Sequence, residues 1–248
     1  MTTTTTGTAA AAQAPTDRTR NHARAAGALY LITFLASIPA LLLIAPVLDH
    51  TDYVVGAGAD TRVLWGCLLD FVSAMACIGT AVAVYPVVRR TNEAVALGFV
   101  TSRLVEAGII VIGVVSLLSV VTLRQDLGAT TGATGEDAAT LVTTGRALVA
   151  VRDWTFLLGP GFMSAANALL FGTLLYRSRL VPRFIPVMGL VGAPLLLASG
   201  LATFFGHNDQ LSASSFLATL PIAAWELAVG TYMLVKGFRP QSAAVERA

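Results

Sequence analysis

Six long apolar runs dominate the chain and leave little choice of fold. Ala25–Leu48 is 24 residues without a charge. Val63–Val88 is interrupted only by Asp70, Ala94–Leu123 only by Arg103 and Glu106, and Leu211–Val235 only by Glu226. Trp154–Tyr176 and Phe184–Phe205 carry no charge. A hydrocarbon core about 30 Å thick takes roughly 20 helical residues to cross, so each run is long enough. Backbone groups left unpaired in lipid cost several kcal/mol each, and the runs lack strand alternation, so they must be helices. Composition agrees: only 12% of the 248 residues are charged, against about 25% in a soluble domain. The expected fold is all-α, a polytopic membrane bundle of six transmembrane helices whose main partner is the lipid bilayer. The net charge of +2 is too small to point to a nucleic-acid partner.

Lys and Arg set the threading of such a bundle. Arg18, Arg20, Arg24, Arg89, Arg90, Arg177, Arg179, Arg183, Lys236, Arg239 and Arg247 fall on one side, which makes eleven. Arg62, Arg124, Arg146 and Arg152 fall on the other, which makes four, and Arg103 lies within a span. Both termini are therefore expected in the cytoplasm. Trp65 and Trp154 mark the expected outer boundary and Tyr85, Tyr176 and Tyr232 the inner one. Trp225 stands apart, near mid-span beside Glu226. Residues 1–20, rich in Thr and Ala, read as a disordered tail, residues 21–238 as the transmembrane domain, and 239–248 as a second tail. The first apolar run is too long for a signal-peptide core of about 7–15 residues, so it reads as a retained span.

The charges inside the spans carry the functional question. Arg103 and Glu106 share a helix face, because residues three apart are neighbours on a helix. A lone guanidinium at this depth costs about 2.5–3.5 kcal/mol on insertion scales, and a nearby carboxylate lowers that cost. Helical rise places Asp70, Arg103, Glu106 and Glu226 at similar heights. Asp70, from the adjacent antiparallel span, is then the expected second acceptor for Arg103, and Glu226 the third. Three acids to one base leave excess negative charge that a proton would offset. Two readings follow. In one, the four residues line a polar site that binds substrate or carries protons. In the other, they are an ionic latch that fixes helix register.

Other signals are secondary. Gly161, Ala165, Ala168 and Gly172 form a small-residue seam suited to close helix packing, and hence a candidate homo-oligomer contact, with Asn167 available for an interhelical hydrogen bond. Cys67 and Cys77 lie ten residues apart on one run, about 15 Å along a helix, too far to bond, and read as small packing residues. In the longest connection, RQDLGATTGATG reads as loop. Thr134 can cap the helix EDAATLVTTGRALVAVRDW, which either lies in the outer interface or, as the lack of a breaker before Trp154 favours, extends the fourth span outward, with the break at Gly159-Pro160-Gly161. Pro39, Pro160, Pro186, Pro194 and Pro221 lie within spans and are read mainly as kinks. The arginine-rich turn from Tyr176 to Arg183 fits attraction to anionic headgroups. No HExxH, GxSxG, phosphate loop or Cys/His cluster occurs, so neither metal nor cofactor is expected, and enzymatic activity is not indicated.

Three segments together carry a likeness: ARAAGALYLITFLASIP at Ala23–Pro39, SRLVEAGIIVIG at Ser102–Gly113, and LLFGTLLYRSRLVPRFIPVMGLVGAPLLLASG at Leu169–Gly200. With them the chain resembles a bacterial multi-pass membrane family, domain of unknown function 4386, over roughly residues 21–236. The resemblance implies an integral protein of the bacterial plasma (inner) membrane. It brings no substrate, cofactor or active site. The function expected is a small carrier or permease using the intramembrane cluster, or a structural or regulatory membrane protein held by it.

Overall fold

The computed structural model describes residues 17–50, 52–56, 60–129 and 136–239. The described residues are helical apart from short turns, without a strand. The helices are α1 (Asp17–Asp49), α2 (Asp60–Val88), α3 (Glu93–Ala129), α4 (Glu136–Phe156), a π-helical segment (Leu157–Met163), α5 (Ser164–Ser178), α6 (Phe184–Phe204) and α7 (Ala213–Val235). The segment from Glu136 to Ser178 runs on as one rod, so six rods are long and apolar enough to cross a membrane.

Several rods outrun their apolar windows. α1 begins at Asp17, inside the expected tail, and α3 continues through Arg124 to Ala129, where a loop was expected. Charged residues end an apolar run without ending a helix, because a helix satisfies its own backbone in water as well as in lipid. Residues 1–16 and 240–248, and the cap expected at Thr134, lie outside the described residues. The continuity of α4 with the fourth span is as read from the sequence. The expected break at Gly159-Pro160-Gly161 takes the form of the π-helical segment. Pro160 lacks the N–H that an α-helical bond needs, and a π-bulge absorbs the irregularity without ending the rod.

Successive rods pack on one another in chain order, and α7 closes back onto α1, so the six form a ring. The closure is tight. A Cβ on Gly27 of α1 would stand 2.4 Å from the Leu234 nitrogen and 2.6 Å from the Gly230 carbonyl of α7, so only glycine lets these backbones meet. At the end of the ring where α1 begins and α7 ends, α7 leads into a strap whose Arg239 nitrogen donates to the Leu180 carbonyl in the α5–α6 turn (2.8 Å). That turn closes with Arg179 in the left-handed region, φ 56°. At the opposite end Arg124 forms an ion pair with Asp60, its Nε donates to the Gly56 carbonyl (3.0 Å), and the Tyr53 hydroxyl donates to Asp60 (3.1 Å). Burial, then that hydrogen bond, raises the Tyr53 hydroxyl above its ordinary range.

The side chains sort into an inside and an outside. Tyr30, Phe99, Phe171, Leu174, Trp225 and Met233 fill one half of the ring, and Ile44, Val47, Val63, Leu117 and Val121 fill the other. Leu35, Leu42, Trp65, Ile112, Val191 and Phe216 are exposed around the outside. So much apolar surface facing outward on every rod is a lipid contact surface.

Candidate functional site

Arg103 and Glu106 leave α3 on the face that looks into the ring. Nη1 of Arg103 donates to Oε2 of Glu106 at 2.9 Å, and both residues are buried. The same Nη1 lies 3.5 Å from Sγ of Cys77 on α2. Ser164 and Asn167 of α5 complete the carboxylate: the Ser164 hydroxyl donates to Oε1 (3.1 Å) and Nδ2 of Asn167 to Oε2 (2.7 Å). Glu106 is thus held by one cation and two neutral donors, which fill three of the roughly four acceptor sites of a carboxylate. Asn167 makes the interhelical bond expected of it. Ser164 was not singled out from the sequence, since a serine in an apolar run gives no signal of its own.

Glu226 of α7 stands on the other side of the guanidinium. Its Oε1 is 3.8 Å from Nη2 of Arg103, an ion pair without a hydrogen bond. Its side chain is 19% exposed, against 2% for that of Arg103. Aromatic rings enclose the cation. Its central carbon lies 4.8 Å from the Tyr30 ring centre and 5.7 Å from that of Phe99, within cation–π range. Phe171 stacks on both rings, and Trp225 meets Tyr30 and Phe171 edge-on. Trp225, the outlier of the boundary aromatics, is wholly buried here, against Gly189 of α6.

This enclosed centre leaves polar atoms unsatisfied. Among the described residues, Nε and Nη2 of Arg103, Oη of Tyr30, Nε1 of Trp225 and Oδ1 of Asn167 are buried without a hydrogen-bond partner. An unmade bond of this kind costs about 1–3 kcal/mol, and native interiors hold few of them. Here two belong to the guanidinium of Arg103 itself, one to the Tyr30 ring beneath it, one to Trp225 packed on that ring, and one to Asn167, which shares Glu106 with it.

Asp70 does not join this centre. It pairs with Arg152 of α4, Nη2 to Oδ2 at 3.3 Å, and both are buried. The Arg152 guanidinium also lies over the Phe156 ring at 4.8 Å. The expected contact of Asp70 with Arg103 is therefore replaced by a second layer of charge. Asp70 lies seven residues from Cys77, which touches Arg103, or about 10 Å along α2. The expectation erred because it measured Asp70 from one end of a span and Arg103 from the other, on a 30 Å ruler. α2 has 29 residues, about 43 Å at 1.5 Å each, so the two depths were not on one scale. Arg152, counted among the basic residues of the outer side, is buried inside the ring. The excess of acids over bases in the spans was the signal for a missing cation, but Arg152 is one of several basic residues flanking apolar runs, and its place two residues before Trp154 did not single it out.

The seam of small residues faces inward. Ala165 and Ala168 are fully buried, and a Cβ on Gly172 would lie 3.2 Å from Leu190 of α6, whereas one on Gly161 would meet only its own helix. Two recesses lie elsewhere. A cavity of about 130 Å³ near the Arg124 end is lined by His50, Tyr53, Arg146 and Asp153. An apolar groove of about 400 Å³ runs between α2 and α3, past Phe71 and Val115. Among the described residues, no three His, Cys, Asp or Glu side chains are placed to hold a metal ion.

A six-rod helical ring with an apolar exterior and its charges turned inward defines a multi-pass integral membrane protein. Residues 25–237 match the family described as domain of unknown function DUF4386, and the chain belongs to that family. No curated protein and no solved structure matches it.

Proposed function

We propose that the protein is a small carrier with its site at Arg103, Glu106 and Glu226, and that Asp70 with Arg152 closes that site from the Arg124 end. One observation carries the reading. The guanidinium of Arg103 sits at the middle of the ring between carboxylates of α3 and α7, with part of its hydrogen-bonding capacity unused. A latch alone would use that capacity, because an unmade buried bond is costly. Depth supports the same view. Arg103 is ten residues from Glu93, Cys77 eleven from Val88, Asn167 eleven from Ser178 and Glu226 nine from Val235. That is one common depth, about 15 Å from the helix ends on the side where α1 begins and α7 ends, well inside the rods, and carriers hold their sites deep in the bilayer. The latch reading keeps one half of the cluster: Asp70 and Arg152 are a balanced, directly bonded pair and act as structure.

The threading inferred from Lys and Arg places both termini in the cytoplasm. The same ends carry the strap from Gly237 to Arg239 and the arginine-rich α5–α6 turn. The bilayer proposed is the bacterial inner membrane, on the resemblance above.

The test is genetic and biochemical together. A deletion strain is profiled for growth and metabolites, then complemented with wild type, with Arg103→Leu/Glu106→Leu, and with Glu226→Gln. Wild type restores the profile; neither variant does, although Glu226→Gln reaches the membrane folded and in equal amount. Full rescue by a folded Glu226→Gln or by the folded double variant overturns the reading.

A further inference from the structure

We infer that the free edge of Arg103 is a binding fork for a substrate carboxylate, taken up together with a proton on Glu226. The inference rests on the carrier reading for its route and deepens it by naming the class of ligand. Nε and Nη2 form the side-on edge of a guanidinium, two N–H groups in a fixed fork that matches the two oxygens of a carboxylate. In Arg103 these are the two nitrogens without a hydrogen-bond partner, while Nη1 is engaged by Glu106 and Cys77. Two further unused donors are Oη of Tyr30, whose ring lies against the cation, and Nε1 of Trp225, whose ring packs edge-on against Tyr30. The unused set is mostly donors, so it selects an acceptor. A second cation would meet the charge of Arg103 in a low-dielectric enclosure, where like charges repel strongly. The surrounding rings of Tyr30, Phe171 and Trp225 favour an apolar body behind the carboxylate.

Charge decides the role of Glu226. With both glutamates ionised, Arg103, Glu106 and Glu226 sum to −1, and an added carboxylate makes −2. A proton on Glu226 returns the sum to −1, so the anion and one proton enter as a neutral pair. Glu226 is the residue suited to this exchange. It is the more accessible of the two acids, and its nearest oxygen stands 3.8 Å from Nη2 without bonding to it. Ionised, Glu226 competes for the fork; protonated, it gives way. Glu106, held by Arg103, Ser164 and Asn167, stays in place as the fixed counter-ion.

The experiment uses full-length protein in lipid nanodiscs with radiolabelled benzoate, benzamide and benzylamine, which share a ring and differ in charge. Laurate is a fourth probe, for a carboxylate arriving through the bilayer instead of from water. Benzoate or laurate binds saturably, at least about tenfold tighter in acidic than in alkaline buffer, and the amide and the amine do not. Whichever of the two binds assigns the source. Arg103→Lys keeps the charge but removes the fork, and weakens binding by about tenfold or more. Trp225→Phe removes one donor and keeps a ring, and weakens it several-fold, so the fork stays testable if Arg103→Lys misfolds. Glu226→Gln, which cannot exchange the proton, abolishes the pH dependence of the binding. Binding of benzylamine or benzamide in place of the acids overturns the inference, as does folded Arg103→Lys with unchanged affinity. So does the absence of carboxylate binding, which leaves the fork to water. Flux into liposomes separates the two readings. Carboxylate binding without flux of any solute removes the carrier and leaves the fork. Arg103-dependent flux of a solute lacking a carboxylate keeps the carrier and removes the fork.

Discussion

At the scale of residues, the two charge layers differ in what they can lose. Asp70 and Arg152 are each other's ionic partners, buried and bonded at 3.3 Å. Asp70→Asn leaves an uncompensated buried guanidinium and is expected to cost about 3–5 kcal/mol, whereas Asp70→Leu/Arg152→Leu recovers most of that loss. Reversible unfolding in mixed micelles measures both. The sequence was legible here wherever partners lie close along the chain. Arg103 and Glu106 are three residues apart on one helix, so helical geometry alone pairs them. Of the pairs across helices, Glu226 with Arg103 was legible and Asp70 with Arg152 was not, because a side chain's height is known only as well as the ends of its rod. That is why Asp70 was assigned to Arg103 and Arg152 was missed. Ser164, Tyr30 and Cys77 were hidden for another reason: such residues fill any membrane helix, and only the packing of five rods around one cation gives them a role.

At the scale of elements, the π-helical segment Leu157–Met163 separates the part of the rod that presents Arg152 from the part that presents Ser164 and Asn167. The break could be read from Gly159-Pro160-Gly161, since proline removes a helical donor; its form as a continuous rod with altered winding could not. The segment sets the angle between the two charge layers. Removing one residue, Gly161, turns α4 relative to α5 by about 100°, the angle per residue of an α-helix. Arg152 and Asn167 then cannot both face the ring. The deletion is expected to fold with one layer intact, and a double-mutant cycle identifies which. If Asp70→Asn no longer destabilises the deletion variant while Asn167→Ala still does, the Asp70–Arg152 layer has been lost. Equal and undiminished costs of both substitutions in the deletion background would show that the segment does not set the angle.

At the scale of the whole molecule, six apolar rods were legible as a bundle, and their closure through Gly27 and Gly230 was not, since glycines are common in membrane helices. Threading comes from the distribution of Lys and Arg, with Arg152 now withdrawn from the outer four. Alkaline phosphatase fused after Asp209 is expected to be active and after Arg183 inactive; the reverse pattern would invert the bundle. With that threading, the Asp70–Arg152 layer lies between the outer water and Arg103, and the two buried cysteines bracket it. Cys67 is about one turn outward of Asp70, and Cys77 touches Arg103 at 3.5 Å. If the outer layer closes a carrier's site, breaking it admits water as far as Cys77. In a Cys67→Ala background, a membrane-impermeant maleimide added from the side of the α1–α2 connection should leave Cys77 unlabelled while Asp70 and Arg152 are intact. Asp70→Asn/Arg152→Gln should make it reactive. A double variant that stays folded with Cys77 still protected would mean that the layer closes nothing, and that Asp70 and Arg152 serve helix packing alone.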